Sequence, residues 1–285
     1  MTILDWPLEC AQTTLTPQQQ WSHSGSNLCL DFHGDPLNAK LVVYSDGNHH
    51  MALLQSVQEF LKLHPEVDDI FYATTPPGVL VKALQDNGLI LGNLKISTMP
   101  NVFIGPEAIL SSLVEQKYCE QYTKFIQSRG NVALVLKGNP LNIRTSKDLF
   151  KDDVRLFLSN PQTEKASYQV YHEFLINSGL TQTQIDSINT YFGRKIHHRE
   201  APQALVDGNA NVAIVYYHLA LRYCRIFPEI FDLVEILPCA GGLNPVTEYA
   251  IGLVADGGEF GELFVRFMQS ETVSHIYQQH GLNAI

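Results

Sequence analysis

The imidazoles of His49 and His50, together with the run Asp31-Phe-His-Gly-Asp35, offer the nitrogen and oxygen ligands that zinc or a similar ion takes. Their spacing matches no recognised ligand pattern. The two groups would meet only if the N-terminal residues folded over the loop that carries His49. A metal-dependent hydrolase therefore stands last among the functional readings, and His197-His198 reads as a surface pair. Hydrolysis by a nucleophile finds no support, because there is no Gly-x-Ser-x-Gly elbow and no cysteine in a catalytic context. The phosphate-cradling patterns Gly-x-x-x-x-Gly-Lys-Ser/Thr and Gly-x-Gly-x-x-Gly are also missing. The sequence points to binding, with no catalytic residue, no metal and no cofactor expected.

The stretch Gln203 to Tyr217 shows what kind of binding. Asp207-Gly-Asn209 reads as a tight turn, Val212-Ala-Ile-Val215 as a strand of the kind that fills a parallel sheet covered on both faces, and Tyr216 as the residue at that strand's carboxyl tip. Ligands of open α/β sheets sit beyond the carboxyl ends of the strands. A tyrosine there either packs or donates its hydroxyl to an anion.

Composition narrows the class. The chain has 285 residues, 45% hydrophobic and 17% charged, enough for a large core and ordinary for a soluble globular protein. No run approaches the ~20 apolar residues of a membrane helix, so no membrane insertion is expected. A formal charge of −10 and a pI near 5.5 leave no basic footprint for nucleic acid. Any anion must be held by local donors against the overall field. The five scattered cysteines form no Cys-x-x-Cys pair and read as thiols without a disulfide framework. Met1 to Glu9 has no basic region followed by an apolar stretch. The expectation is a cytoplasmic chain, or a periplasmic one whose leader has been trimmed.

The elements that must position these groups alternate regularly. Residues 1–38 lack periodicity and are taken as an N-terminal extension. Leu41–Tyr44 reads as a strand, Leu53 to Leu61 as an amphipathic helix, Asp69–Tyr72 as a strand, and Val79 to Leu84 as a helix start after Thr74-Thr-Pro-Pro-Gly78. Asn101–Ile104 is a strand ended by Gly105-Pro106, with helix expected onward to about Gln127. Val132–Leu136 and Arg155–Leu158 are strands, Tyr168 to Leu175 a helix, and Val234–Leu237 a return strand. Tyr249–Val254, a helix around Phe260 to Met268, and a last helix with Val273, Ile276 and Tyr277 close the chain. This order predicts an α/β protein of two lobes with two chain crossovers and a central cleft. Lobe 1 takes residues 39–129 and 239–285, and lobe 2 takes 130–238.

The stretches Leu41–Met51, Ala73–Leu80, Met99–Gly105, Val135–Pro140 with Ser146–Leu149, Leu158–Pro161 with Ala166 and Ser167, Ala204–Tyr216 and Phe267–Gly281 occur in an order that resembles the type 2 periplasmic-binding-protein fold. Within that fold the chain is most similar to the molybdate/tungstate-binding proteins of ABC importers. The resemblance covers residues 40–283. It implies a tetrahedral oxyanion held by hydroxyls and by amides at helix starts, where orphan N–H groups and the helix dipole favour negative charge. Carried over by matching loops, the ligand-binding residues are Asn48, Thr74 and Thr75 in lobe 1, and Ala166, Ser167, Arg199 and Tyr216 in lobe 2. The family usually has a serine where this chain has Asn48, and Pro76-Pro77 removes two N–H donors. Arg199 and Lys165 would suit phosphate, phosphonate or carboxylate ligands as well as molybdate.

Three functional readings result. The first is a monomeric solute-binding protein for a small oxyanion (molybdate, tungstate, sulfate, phosphate or phosphonate) that closes about hinges near 128–131 and 237–241 and serves an ABC permease. The second is a cytoplasmic ligand sensor or oxyanion-binding protein without a permease. The third is the hydrolase built on His49 and His50.

Overall fold

The computed structural model describes residues 4–6, 31–91, 93–194, 200–236 and 243–285. Its contacts divide the chain into two compact units, Met1–Trp6 with Ser128–Val246, and Pro7–Gln127 with Thr247–Ile285. Each unit is a mixed sheet flanked by helices, so the expected α/β class with two sheet-built lobes is what the chain adopts.

The larger unit holds a seven-stranded sheet. Its order is Phe32–His33, Ile70–Thr75, Leu41–Asp46, Val102–Pro106, Glu248–Val254, Cys119–Ser128 and Leu282–Ala284. Leu41–Asp46 lies parallel to both Ile70–Thr75 and Val102–Pro106. Parallel neighbours require a crossover, which His50–Leu63 and Pro77–Gln85 supply. Alternation along the strands builds a core on each face. Leu41 and Val43 join Leu53, Phe60, Phe264 and Tyr277 on one side, while Val42 and Tyr44 join Leu80, Leu84 and Leu110 on the other.

Two sequence expectations fail here for local reasons. The helix expected to run to about Gln127 stops early, because Glu107–Glu115 ends in a Schellman turn: Tyr118 N donates to Leu113 O, and Lys117 N donates to Val114 O. Lys117 takes the left-handed position at φ 64° that glycine usually fills, so the sequence carries no visible stop signal. Cys119–Ser128 then forms a ten-residue strand antiparallel to Glu248–Val254. Phe32–His33, placed in an extension by its lack of periodicity, pairs antiparallel with Ile70–Thr75 at the sheet edge.

The smaller unit holds a five-stranded sheet in the order Thr190–Phe192, Leu156–Leu158, Val212–Tyr216, Asn131–Leu136 and Phe231–Val234. Val212–Tyr216 is buried throughout, as its apolar run predicts. It is parallel to Leu156–Leu158 and antiparallel to Asn131–Leu136, so the sheet is mixed. The return strand is Phe231–Val234, ahead of the predicted Val234–Leu237, whose last residue lies outside the described residues. Leu4 N donates to Gln203 Oε1, and Trp6 packs edge-on against Tyr223 and Phe227, so the start of the chain is part of this unit. Among the described residues no helix is long and apolar enough to cross a membrane. Cys119 and Cys224 are free thiols, and Cys10, Cys29 and Cys239 lie outside the described residues.

One side chain ties two segments of this unit together. Asn244 Oδ1 accepts from Asn131 N at 2.7 Å and from Asn131 Nδ2 at 3.3 Å, while Asn244 Nδ2 donates to Asn131 O at 2.8 Å. Gly130, at φ 81°, lets Asn244 approach, since a Cβ there would stand 2.4 Å from Asn244 Cγ. Replacing Asn244 with Ala strands the N–H and C=O of the buried Asn131. We expect a loss of about 1–3 kcal/mol, the cost of leaving buried polar groups unpaired. It should appear as a lower urea midpoint with unchanged slope. An unchanged midpoint would mean that the pair does not hold these segments.

Candidate functional site

The parallel strands Leu41–Asp46, Ile70–Thr75 and Val102–Pro106 end at one edge of the seven-stranded sheet. Each leads directly into a helix start: Gly47–His49 continuing into His50–Leu63, then Pro77–Gln85, then Glu107–Glu115. The register sets Asp46 beside Thr75 and Ser45 beside Thr74. Gly47 lets its loop lie against the neighbouring strand, for a Cβ there would come within 2.5 Å of Thr74 O.

The two threonines separate cleanly. Thr74 Oγ1 faces His33 Nε2 at 3.3 Å and donates to Asp31 O at 3.4 Å, so its hydroxyl is already engaged. Thr75, one residue on, points to the opposite face. It is buried, and its Oγ1 has no hydrogen-bond partner among the described residues. Gly78 supplies the first N–H of its helix, since Pro76 and Pro77 have none. Gly78 is exposed, with open space where a Cβ would be.

Asn48 is bound internally. Its N–H donates to Asp46 Oδ1 at 2.8 Å, and its Nδ2 donates to Asp46 Oδ2 at 3.3 Å. Asp46 is only 2% exposed. Burial pushes its pKa up to about 6, against the opposing pull of the two bonds from Asn48. Sequence reasoning missed this carboxylate at the strand end. The Ser-Asp-Gly-Asn turn was its signal, because an Asp commonly caps the backbone two residues on.

The histidines serve the fold. His49 is fully buried, with Nδ1 3.0 Å from the Tyr277 hydroxyl and Nε2 3.3 Å from Ser45 Oγ. His50 Nδ1 contacts Gly47 O at 2.9 Å, and His33 stacks on Tyr72. Asp35 caps its own loop through Leu37 N and Asn38 Nδ2. Among the described residues no three His, Cys, Asp or Glu side chains converge on a point that could hold a metal ion.

In the five-stranded unit, Tyr216 ends its strand, 3% exposed, T-shaped against Tyr171 at 5.4 Å and stacked on His218 at 5.2 Å. Ala166 and the half-buried Ser167 lie in the first turn of Lys165–Asn177, whose N-cap residue Glu164 makes no side-chain cap bond. Burial, reinforced by repulsion from Glu200, pushes Glu164 up to about 7. Arg199, His197 and His198 lie outside the described residues. A cavity of about 310 Å³ opens in the same unit beside Asn131, Phe174 and Tyr217, with the Arg129 guanidinium 4.1 Å above the Tyr217 ring.

The family model for bacterial extracellular solute-binding proteins matches residues 41–283, which span both units. The chain belongs to that family. Comparison with curated proteins gave no match. Solved structures show the same fold at low identity. Peb3 from Campylobacter jejuni superposes with a TM-score of 0.63 at 16% identity, covering 85% of this chain and 99% of Peb3. The periplasmic molybdate-binding protein of Azotobacter vinelandii gives 0.62 at 17%, covering 86% and 98%. The sulfate-binding protein SubI from Mycobacterium tuberculosis gives 0.64 at 16%, covering 87% and 88%. The expected type 2 periplasmic-binding-protein fold is thereby established for this solute-binding protein.

Asp46 also makes the solute-binding protein's stability depend on pH. An acid whose pKa is higher folded than unfolded binds more protons in the native state, so stability falls as pH rises from about 4, the ordinary value, to about 6. A rise of that size corresponds to on the order of 2–3 kcal/mol. Asp46→Asn removes that slope, and its unfolding free energy should therefore gain on the parent protein between about pH 4 and pH 7. A difference that stays constant across this range would show that Asp46 is not desolvated.

Proposed function

We propose that this solute-binding protein captures a small oxyanion and delivers it to an ABC permease. The observation that carries the reading is the buried, unpartnered Thr75 hydroxyl at the carboxyl edge of the parallel strands, beside a helix start. An orphaned buried hydroxyl costs stability unless something arrives to bond with it. Gly78 N–H adds a donor next to it at the positive end of the helix dipole. Donors without a compensating cation suit an anion held by hydrogen bonds alone. The similar structures named for molybdate and sulfate support the same ligand class.

Of the other residues expected in the site, Ala166 and Ser167 are proposed as amide donors and Tyr216 as a hydroxyl donor from the five-stranded unit, with Arg199 as a charged contact. Thr74 and Asn48 are proposed as supports, because Thr74 steadies the strand end against His33 and Asn48 holds Asp46.

Thermal shift with phosphate, phosphonates, sulfate, molybdate and tungstate should find an anion that raises the melting temperature. Saturation at a hundred times Kd is worth about 2.7 kcal/mol. Thr75→Val should act in two opposite directions. It should stabilise the ligand-free protein by removing an unsatisfied buried hydroxyl, and it should weaken the responsive anion by about 0.5–1.5 kcal/mol. No response to any anion would sink the oxyanion reading, and an unchanged affinity in Thr75→Val would remove this edge from the site.

A further inference from the structure

We propose that the cavity of about 310 Å³ in the five-stranded unit is a second binding site, one that takes a small zwitterion with an apolar body, of the amino-acid class. The inference goes beyond the oxyanion reading and does not depend on it. Ala166, Ser167 and Tyr216 are not among the residues that line this cavity, and Thr75 and Gly78 belong to the other unit.

The segments by which the chain enters and leaves the five-stranded unit form the cavity. Arg129 and Asn131 follow the entry at Ser128, while Glu235, Ile236 and Asn244 precede the exit after Val246. Such a volume is at the small end of ligand pockets and suits a metabolite. Three polar groups on its walls are uncommitted. The first is Asn131, which is 1% exposed. Its Nδ2 donates to Asn244 Oδ1 at 3.3 Å and to Pro245 O at 3.4 Å, which fixes the other end of the amide as the acceptor. That Oδ1 receives no hydrogen bond among the described residues, and a buried acceptor left so costs stability until a donor meets it. The others are Arg129 and Glu235, exposed side chains of opposite sign. Among the described residues neither forms an ion pair, with the other or with a third group.

Each group specifies part of a ligand. Arg129 holds its guanidinium 4.1 Å above the Tyr217 ring, a cation–π contact that restricts the side chain and leaves its N–H fork available to a carboxylate. Asn131 Oδ1 and Glu235 both require a donor, and an ammonium serves either one with a charge-assisted bond. Phe174 and Ile236 are buried apolar walls that can cover hydrocarbon. One carboxylate, one ammonium and an apolar body complete the set. A carboxylate alone would leave Asn131 Oδ1 unmet, and an amine alone would leave Arg129 unmet. The zwitterion has no net charge, so the chain's charge of −10 does not oppose its entry.

Isothermal titration of the full chain with L-leucine, isocaproate and isoamylamine separates these contributions, because the last two are leucine without its ammonium and leucine without its carboxylate. Leucine should bind roughly ten-fold or more tightly than either. Arg129→Gln should remove its advantage over isoamylamine, and Glu235→Gln should reduce its advantage over isocaproate. Both side chains are exposed, so both variants should fold. An excess of phosphate, sulfate or molybdate should leave the leucine affinity unchanged. Binding of neither leucine nor L-phenylalanine overturns the proposal, as does equal binding of the three compounds. So does a leucine affinity that neither variant alters. Competition between leucine and the oxyanions overturns it too, since that would move leucine to the anion site.

Discussion

Six consecutive residue pairs lock Leu41–Asp46 to Ile70–Thr75 in parallel, and the candidate site depends on that register. A parallel pair cannot be closed by a hairpin, so the chain must return through His50–Leu63, whose start stands at the carboxyl edge. The same constraint places the start of Pro77–Gln85 after Thr75 and that of Glu107–Glu115 after Pro106. Helix starts with orphan N–H groups therefore gather at one edge as a consequence of topology. A slip of one residue would turn Thr75 toward His33 and bring Thr74 to the opposite face, exchanging a free hydroxyl for a satisfied one.

The edge is polar because the rest of the unit is not. Both faces of the central strands are covered by apolar side chains, and the large rings Tyr44, Phe60, Phe103 and Phe264 are fully buried. Polar groups in that core find partners in places: His49 is held between Tyr277 and Ser45, and Ser56 donates to Ala52 O. Burial raises the Tyr277 hydroxyl well above its ordinary pKa, so it stays protonated as a partner for His49. Beside these pairs, Thr75 has no hydrogen-bond partner among the described residues, and the buried Asp46 is held by Asn48. A few kcal/mol lost at one edge can be carried by a core of this size, and such local exceptions cluster where a ligand completes the structure.

Much of the fold was legible because periodicity carries it. Leu41 to Tyr44, Leu53 to Leu61, Val212 to Val215 and Phe260 to Met268 each announce their element by apolar spacing. The failures fall where geometry replaces composition. Lys117 in a glycine-type position concealed the end of a helix, and Cys119–Ser128 mixes exposed and buried residues too irregularly to read as a strand. The site was legible to the level of the loop and not to the level of the atom. Thr74 and Thr75 are equivalent in sequence, and only the pleat decides which hydroxyl is already taken.

Asn48 shows why the atom level matters. Read as a loop residue it is a ready amide donor, but Asp46 lies two residues away on the same chain, and an intramolecular bond of that span closes before any ligand arrives. A ligand would have to break bonds to a buried carboxylate to recruit Asn48, leaving that charge less well held than before. Keeping both bonds lets Asn48 hold the buried carboxylate in place instead. In a chain of net charge −10 no general field draws anions in, so an anion at this edge has to be held by local donors.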